Sequence, residues 1–276
     1  MSFTNRTVFI SGGSRGIGKA IILRLVKDGA NIILAAKSVE ENPKLGGTIY
    51  SVAEEIEQAG AKCLPIQCDI RFEEQIKKAV EQGAQKFGGI DIVINNASAI
   101  ELTNTEATTV KSFDLMFDIN VRGTFFVTQA CIPYLKKSAN PHILTLSPPI
   151  NLNQKWFAQH VAYTLAKYNM TFMTIGWATE FKSYGISSNT LWPRTTIDTA
   201  AVRNLLGGEA LAQMSRIPDI LAEAAYYILS KEKNIYTGQS FIDEEVLARE
   251  SITDLSKYAV NPGKNLYTDL FLDESK

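Results

Sequence analysis

Short runs of β-branched and aliphatic residues alternate with longer stretches of helical periodicity along nearly the whole chain. This alternation restricts the fold more than any other feature. Repeated strand–helix units close most readily as a parallel sheet with right-handed crossovers. The predicted strands are Thr7–Ser11, Asn31–Ala36, Lys62–Gln67, Asp91–Asn95, His142–Ser147, Ile186–Trp192 and Ser240–Asp243. The first five are continuous apolar runs, as expected of strands covered on both faces. Between strands, Ile76, Ala79, Val80, Gly83, Ala84 and Phe87 recur at helical spacing and form one apolar stripe. Phe113, Met116, Phe117, Asn120, Thr124, Val127, Cys131 and Leu135 form a second, on a long helix ending before Pro141. Leu221, Ala224, Ala225 and Ile228 form a third, after Pro218 at a first helical position. The expected fold is a doubly wound α/β domain of Rossmann type, with a mainly parallel seven-stranded sheet and helices on both faces.

A chain of 276 residues suits one such domain. Its core is expected at about 4–245, followed by an extension over 246–276. That extension carries the turn signal Asn261-Pro262-Gly263 and no long periodic element, so it is expected to dock on the surface. Two other segments interrupt the alternation. Ser38–Gly47 is a polar insertion, and Thr195–Met214, with Gly207-Gly208, reads as a mobile lid.

The first strand runs into Ser11-Gly12-Gly13-Ser14-Arg15-Gly16-Ile17-Gly18, and a helical pattern follows. Glycines permit a tight turn and a close approach of backbone to phosphate, while the helix N-terminus beyond offers free N–H groups and a positive dipole end. This context points to a dinucleotide pyrophosphate. An acidic residue at the end of the second strand would accept the ribose 2′-hydroxyl of NAD. Here that strand ends Ala35-Ala36-Lys37. Lys37 and Arg15 are two cations placed to meet a 2′-phosphate, so NADP(H) is favoured over NAD(H).

Well downstream, the stretch AYTLAKY carries Tyr163 and Lys167 four residues apart, on one helical face. An ammonium beside a phenol favours the phenolate and draws its pKa down from about 10. A phosphate-binding loop followed by such a tyrosine suggests hydride transfer coupled to proton transfer.

These motifs resemble the short-chain dehydrogenase/reductase family over about residues 4–245. The resemblance rests on SGGSRGIG at 11–18, Asp69, Asn95-Asn96-Ala97, Asn120, Ser147, Tyr163-x-x-x-Lys167 and Thr237-Gly238-Gln239. Within the family, AAKS, NPKLGGTIY, CIPYLKKS, LSPPINLN and FLDE are similar to a hydroxysteroid-dehydrogenase-like group. Some members of that group continue into a sterol-carrier-like domain, which is not expected here. The resemblance implies that Gly12, Gly16 and Gly18, within the loop of Ser14, Arg15 and Ile17, contact the pyrophosphate. Asp69 and Ile70 would hold the adenine, and Asn96 and Ala97 would line the cofactor channel. Tyr163 would exchange a proton with the substrate oxygen. Lys167 would lower its pKa and bond the nicotinamide ribose. Asn120 would hold a relay water, and Ser147 would orient the carbonyl.

The chain departs from the family pattern at three places. Pro148 stands where a second serine usually acts, Pro193-Arg194 replaces Pro-Gly, and Asp243-Glu244-Glu245 replaces a Gly-Gly turn. Asn151 is an alternative donor to the carbonyl. Arg194 could meet an acidic substrate group or the cofactor phosphates, or lie exposed. Leu152, Trp156, Phe157, His160 and Trp192 are expected around the cleft, which suits an apolar acyl, steroid-like or aromatic carbonyl or alcohol. His160 reads as structural. Leu165, Tyr168, Phe172 and Ile175 make the Tyr163 helix apolar on a second side, so a homodimer or homotetramer is expected. A non-catalytic NADP(H)-binding redox sensor or an interaction subunit is the alternative function.

Composition narrows the partners. Twenty-eight basic residues stand against 29 acidic ones, and the pI is near 6.2. That balance gives no electrostatic reason to expect nucleic acid. No apolar run approaches the ~18 residues of a membrane span. Cys63, Cys68 and Cys131 have no metal-ligand spacing, and no metal site is expected. The first residues, MSFTNRTVFISGG, do not read as a leader, and Glu274-Ser275-Lys276 is not a peroxisomal tail. The expected location is the cytoplasm, with an organelle as the alternative.

Overall fold

A computed structural model describes residues 3–273; Met1, Ser2 and the Glu274-Ser275-Lys276 tail lie outside the described residues. The strands are β1 (Thr7–Ser11), β2 (Asn31–Ala36), β3 (Cys63–Gln67), β4 (Ile92–Asn95), β5 (His142–Leu146), β6 (Ser187–Trp192) and β7 (Ser240–Ile242). They form one sheet in the order β3-β2-β1-β4-β5-β6-β7, and every pairing is parallel. The helices are α1 (Gly16–Val26), α2 (Ile49–Gln58), α3 (Glu73–Phe87), α4 (Val110–Met116), α5 (Thr124–Leu135), α6 (Lys155–Ala158), α7 (Val161–Glu180), α8 (Gly208–Ala212), α9 (Asp219–Ser230) and α10 (Asp243–Arg249). Each expected strand agrees with the structure to within a residue.

The continuous apolar strands divide their side chains between two cores because successive residues point to opposite faces. Val8, Ile10, Ile32, Leu34, Ile92 and Ile94 join one core with Ile21, Leu25, Leu221 and Ile228 of α1 and α9. Phe9, Ile33, Ala35 and Val93 join the other with Ile76, Val80, Val127 and Trp177 of α3, α5 and α7. The chain reverses its winding between β1 and β4, which neighbour each other in the sheet. The crevice beyond the C-terminal ends of these two strands is where ligands bind in open α/β sheets.

Two features differ from the pattern expected of the sequence. The second stripe does not lie on one regular helix. A π-helical turn, Phe117–Gly123, separates α4 from α5, with Asn120 and Gly123 buried in it. A wider turn inserts a residue into the helical register, and such turns recur at functional sites. The C-terminal extension is not confined to the surface either. Phe271 is 0% exposed and Leu272 is buried, in a third core with Met116, Tyr163, Tyr168 and Trp192. Leu270-Phe271-Leu272 is a short apolar run with no periodicity, so its destination depends on long-range contacts rather than local pattern.

Candidate active site

The glycine turn follows β1, and its close approaches explain its composition. Gly12 has φ +73°, and a Cβ there would stand 2.8 Å from the Ala97 Cα. At Gly18 a Cβ would stand 2.5 Å from Asn96 Nδ2. Asn96 binds the turn from the opposite strand end, its Nδ2 donating to the carbonyls of Gly12 at 2.7 Å and Ser11 at 3.2 Å. Beyond the turn, α1 begins with no side-chain cap on its N-terminal N–H groups. An uncapped helix start behind a turn this tight fits a dinucleotide pyrophosphate.

A cleft of about 1630 Å³ opens here. Its walls include all eleven residues of the expected cofactor loop and channel: Gly12, Ser14, Arg15, Gly16, Ile17, Gly18, Lys37, Asp69, Ile70, Asn96 and Ala97. The two irregular segments meet across it, where Asn204 Nδ2 donates to the Lys44 carbonyl at 2.8 Å. Asp198, Thr199 and Arg203 from the expected lid also line this cleft. Lys37 lies 3.8 Å from Asp69, which Arg71 holds at 2.6 Å. Arg15 donates to Ser38 Oγ and, at 3.4 Å, to the Gly47 carbonyl, so it sits at the mouth of the Ser38–Gly47 insertion.

Asn120 is fully buried and makes a reciprocal pair with the backbone of one residue in the segment after β4. Its Oδ1 accepts from the Ala99 N–H at 2.8 Å, and its Nδ2 donates to the Ala99 carbonyl at 2.9 Å. The π-helical turn therefore anchors Ala99 at the inner end of the cleft. Ala99 and Ile100 line the cleft and also pack against the core that contains Tyr163. They join the glycine-turn cleft to that core.

On α7, Tyr163 and Lys167 share the buried face with Met170, Thr171 and Thr174. Lys167 Nζ donates to the Leu146 carbonyl at 2.6 Å and stands 5.0 Å from the Trp192 ring centroid. The electrostatics differ from the simple pairing expected of the sequence. Burial, reinforced by the charge of Asp269, raises the Tyr163 phenol above its ordinary value. Burial also pulls Lys167 down to about 7, with Asp269 acting in the opposite sense. Desolvation of both groups outweighs the pairing that their spacing suggested.

Ser147 is also placed differently. It is fully buried, and its Oγ lies 3.0 Å from Thr171 Oγ1. Thr171 is eight residues beyond Tyr163 on α7, a rise of roughly 12 Å. The hydroxyl partner of Ser147 thus lies about two helical turns beyond Tyr163 on α7. Pro148, which follows it, offers its carbonyl to the same Thr171 hydroxyl at 2.7 Å. Asn151 is committed elsewhere as well, since its Nδ2 donates to the Phe271 carbonyl at 3.0 Å and to Asp273 at 2.9 Å. Arg194 is ion-paired with Glu245 at 2.7 Å.

Trp156, Phe157, His160 and Trp192 do gather beside Tyr163, whereas Leu152 stays exposed. Tyr168, expected on an outer face, is buried against Phe157 and Phe271. His160 bonds Thr164 Oγ1 at 3.0 Å, consistent with a structural role. Sequence reasoning gave Asp269 and Phe271 no place at the site, because FLDE marked only a resemblance and the terminal segment carries no periodicity that shows where it docks.

Asp243 forms a second buried acidic position beside this region. Its Oδ1 accepts from the N–H groups of Arg194 and Glu244, both at 2.8 Å. Its Oδ2 has no hydrogen-bond partner among the described residues. Burial pushes its carboxyl up to about 7, Glu244 adds to the rise, and the two N–H bonds and Arg216 oppose it. A carboxyl raised in the folded state contributes stability at low pH that is lost as pH climbs from about 4 toward 7. Asp243→Asn is therefore expected to match the parent near pH 4 and exceed it by on the order of 2–4 kcal/mol at pH 8. Urea unfolding at the two pH values checks this, and an equal effect at both would refute it.

The family model for short chain dehydrogenases matches residues 6–209. Hydroxysteroid dehydrogenase-like protein 2 of Bos taurus is 56% identical over 268 residues, which cover 97% of this chain and 63% of that protein. The chain thus spans somewhat less than two-thirds of the length of this relative. The crystal structure of a short chain dehydrogenase from Mycobacterium thermoresistibile is 53% identical, with a TM-score of 0.93 over 99% of this chain and 96% of that one. A blue fluorescent protein from a metagenomic library, solved in complex with NADPH, is 25% identical, with a TM-score of 0.73 over 88% of this chain and 97% of that one. With the glycine turn, Asn120 and the Tyr163–Lys167 face in one architecture, the chain belongs to the short-chain dehydrogenase/reductase family.

Proposed function

We propose that the protein is an NADP(H)-dependent oxidoreductase that interconverts an alcohol and a carbonyl on an apolar acyl, steroid-like or aromatic substrate. The observation that carries this reading is the continuity of the site. One wall, Ala99 and Ile100, is shared between the glycine-turn cleft and the core that holds Tyr163 and Lys167. A nicotinamide cofactor supplies or accepts the hydride when bound. The glycine turn and the α1 N-terminus hold its pyrophosphate, and Asp69 and Ile70 border its adenine. Asn96 and Ala97 line the channel toward Tyr163, which moves the proton at the substrate oxygen. Lys167 orients the cofactor ribose. Asn120 keeps the inner wall in place through Ala99, and Ser147 serves the site only indirectly, through Thr171.

Preference for NADP(H) rests on Lys37 and Arg15 at the end of β2, where no acidic residue awaits a ribose 2′-hydroxyl. Lys37 is more than half exposed, so its charge is available to a 2′-phosphate despite the long contact with Asp69. Lys37→Asp is expected to weaken NADPH binding by about 10–100-fold while changing NADH binding by less than about threefold. Fluorescence titration with each cofactor measures both, and equal losses would remove the preference.

A second reading has one observation in its favour. Tyr163 is only 4% exposed, which suits a protein that binds NADP(H) and signals without turnover. A panel of small, acyl, aryl and fused-ring carbonyls, followed by loss of NADPH absorbance, separates the two. Oxidation with at least one class supports the enzyme, and NADPH binding with no oxidation across the panel supports the sensor.

Leu165, Phe172 and Ile175 leave an apolar stripe on the outer side of α7, and Phe113 and Phe125 are exposed on α4 and α5. Exposed apolar surface of this kind supports a homodimer or homotetramer. No helix among the described residues is long and apolar enough to cross a membrane. A cytoplasmic location remains part of this proposal.

A further inference from the structure

The last described residues close over the reactive tyrosine. Tyr267 begins the return, exchanging backbone bonds with Thr196 and Met214, both at 2.9 Å. The Asp269 N–H donates to the Arg194 carbonyl at 3.0 Å. Trp192 Nε1 then donates to the Leu270 carbonyl at 3.0 Å, and Asn151 Nδ2 to the Phe271 carbonyl at 3.0 Å. At the far end, Asp273 pairs with Lys155 at 2.6 Å.

Between these ties the Phe271 ring is fully buried. Its centroid lies 5.2 Å from Tyr168, 5.9 Å from Trp156 and His160, and 6.1 Å from Tyr163 and Trp192. Its backbone is held at φ +70°, a conformation that a bulky L-residue keeps only when surrounding contacts impose it. Such strain favours release once an equivalent set of contacts is offered.

We propose that Phe271 is a specificity-determining residue: its ring, laid beside Tyr163 by the C-terminal segment, takes the place of a flat apolar group of the substrate and yields to it. The inference rests on Tyr163 being the group that meets the carbonyl. The surrounding walls are aromatic, so an aryl or fused-ring ketone replaces the lost contacts in kind. A small ketone leaves the displaced apolar surface uncompensated. The last ties, from Lys155 and Asn151 to Asp273, lie at the exposed surface and resist little.

The test uses the full chain with 2-acetylnaphthalene as the flat probe and acetone as the small one. Hydrogen exchange over 267–273 is expected to rise when 2-acetylnaphthalene binds, while exchange in β4 and β5 stays unchanged. Phe271→Ala is expected to tighten 2-acetylnaphthalene binding by about 10–100-fold in equilibrium dialysis, with acetone affinity changed by less than about threefold. NADPH affinity is expected to stay the same. Asp273→Ala keeps the ring and frees the far end, so it decides the matter where Phe271→Ala does not fold. It is expected to raise the basal exchange of 267–273 and tighten 2-acetylnaphthalene binding about threefold. Unchanged exchange with bound ketone, unchanged affinity in the variants, or no binding to any of them overturns the proposal. Binding and exchange as expected, without NADPH oxidation here or across the carbonyl panel, would leave the role of Phe271 standing and remove the oxidoreductase reading.

Discussion

Tyr163→Phe is expected to lower kcat by about 10²–10⁴-fold while leaving the dissociation constant of NADPH within about twofold. The substitution removes one oxygen and keeps the ring that packs against His160 and Phe271. Lost turnover with intact folding and cofactor binding would therefore isolate the proton transfer. The residues expected to hold the cofactor line the glycine-turn cleft, and Tyr163 is not one of that cleft's walls. Stopped-flow NADPH oxidation with a carbonyl substrate gives kcat, and fluorescence titration gives binding. A variant retaining more than about a tenth of the parent kcat would exclude Tyr163 as the principal acid.

The direction of the Tyr163 shift adds a pH dependence to this result. Burial raises the phenol, so it stays protonated throughout the neutral range. A protonated phenol donates to a carbonyl and cannot accept from an alcohol. Reduction is thus expected to prevail near pH 7, and oxidation to rise steadily toward alkaline pH as the phenolate forms. Lys167, drawn down to about 7 by burial, loses its charge over the same interval. Above that value its help to the phenolate weakens, which keeps the oxidative limb at high pH. Initial rates in both directions between pH 6 and 10 would check the sign, and an oxidative rate already maximal at pH 7 would contradict it.

Gly12→Ala is expected to weaken NADPH binding by at least about 10²-fold, through two independent effects. The residue has φ +73°, where a Cβ costs about 1–2 kcal/mol. That Cβ would also stand 2.8 Å from the Ala97 Cα, a backbone atom that cannot rotate away. Ala97 and Asn96 would have to move outward, and the bond from Asn96 to the Gly12 carbonyl would stretch with them. Both residues line the glycine-turn cleft, so the displacement would act directly on a cofactor bound there. Gly46→Ala is the internal control. It has φ +63° and nothing within 4 Å of its Cβ, so it carries the backbone strain without the collision. Similar losses of NADPH affinity in the two variants would show that the close approach to Ala97 is unimportant.

Much of the fold around the glycine-turn cleft was legible before any coordinates. Strands β1, β2 and β4 declare themselves because strands covered on both faces read as nearly continuous apolar runs, whereas β6 is buried yet polar over Ser187–Thr190. The glycine turn is legible because few residues besides glycine tolerate its backbone conformation and contacts. The Thr48 start of α2 shows a similar local origin, with Thr48 and Ser51 forming a reciprocal cap. Ser147 shows the limit of motif reasoning. Its position at the end of β5 was readable, but the partner of its hydroxyl depends on how α7 crosses the sheet. Asn120 was visible as a polar residue on an apolar stripe. The π-helical turn that aims it at Ala99 has no signature in residue spacing alone.

By itself the sequence determined the alternating α/β architecture, the glycine turn after β1 and the common helical face of Tyr163 and Lys167. Each follows from interactions within a few residues, such as strand alternation, glycine conformations and the i, i+4 relation of a helix. Tertiary structure alone decided the electrostatic state of Tyr163 and Lys167, the pairing of Ser147 with Thr171, and the arrival of Asp269 and Phe271. The physical reason is that desolvation depends on everything packed around a group, including a segment about a hundred residues away in the chain. A phenol and an ammonium four residues apart can be recognised locally, but their burial beside a distant phenylalanine can be known only once the chain has folded.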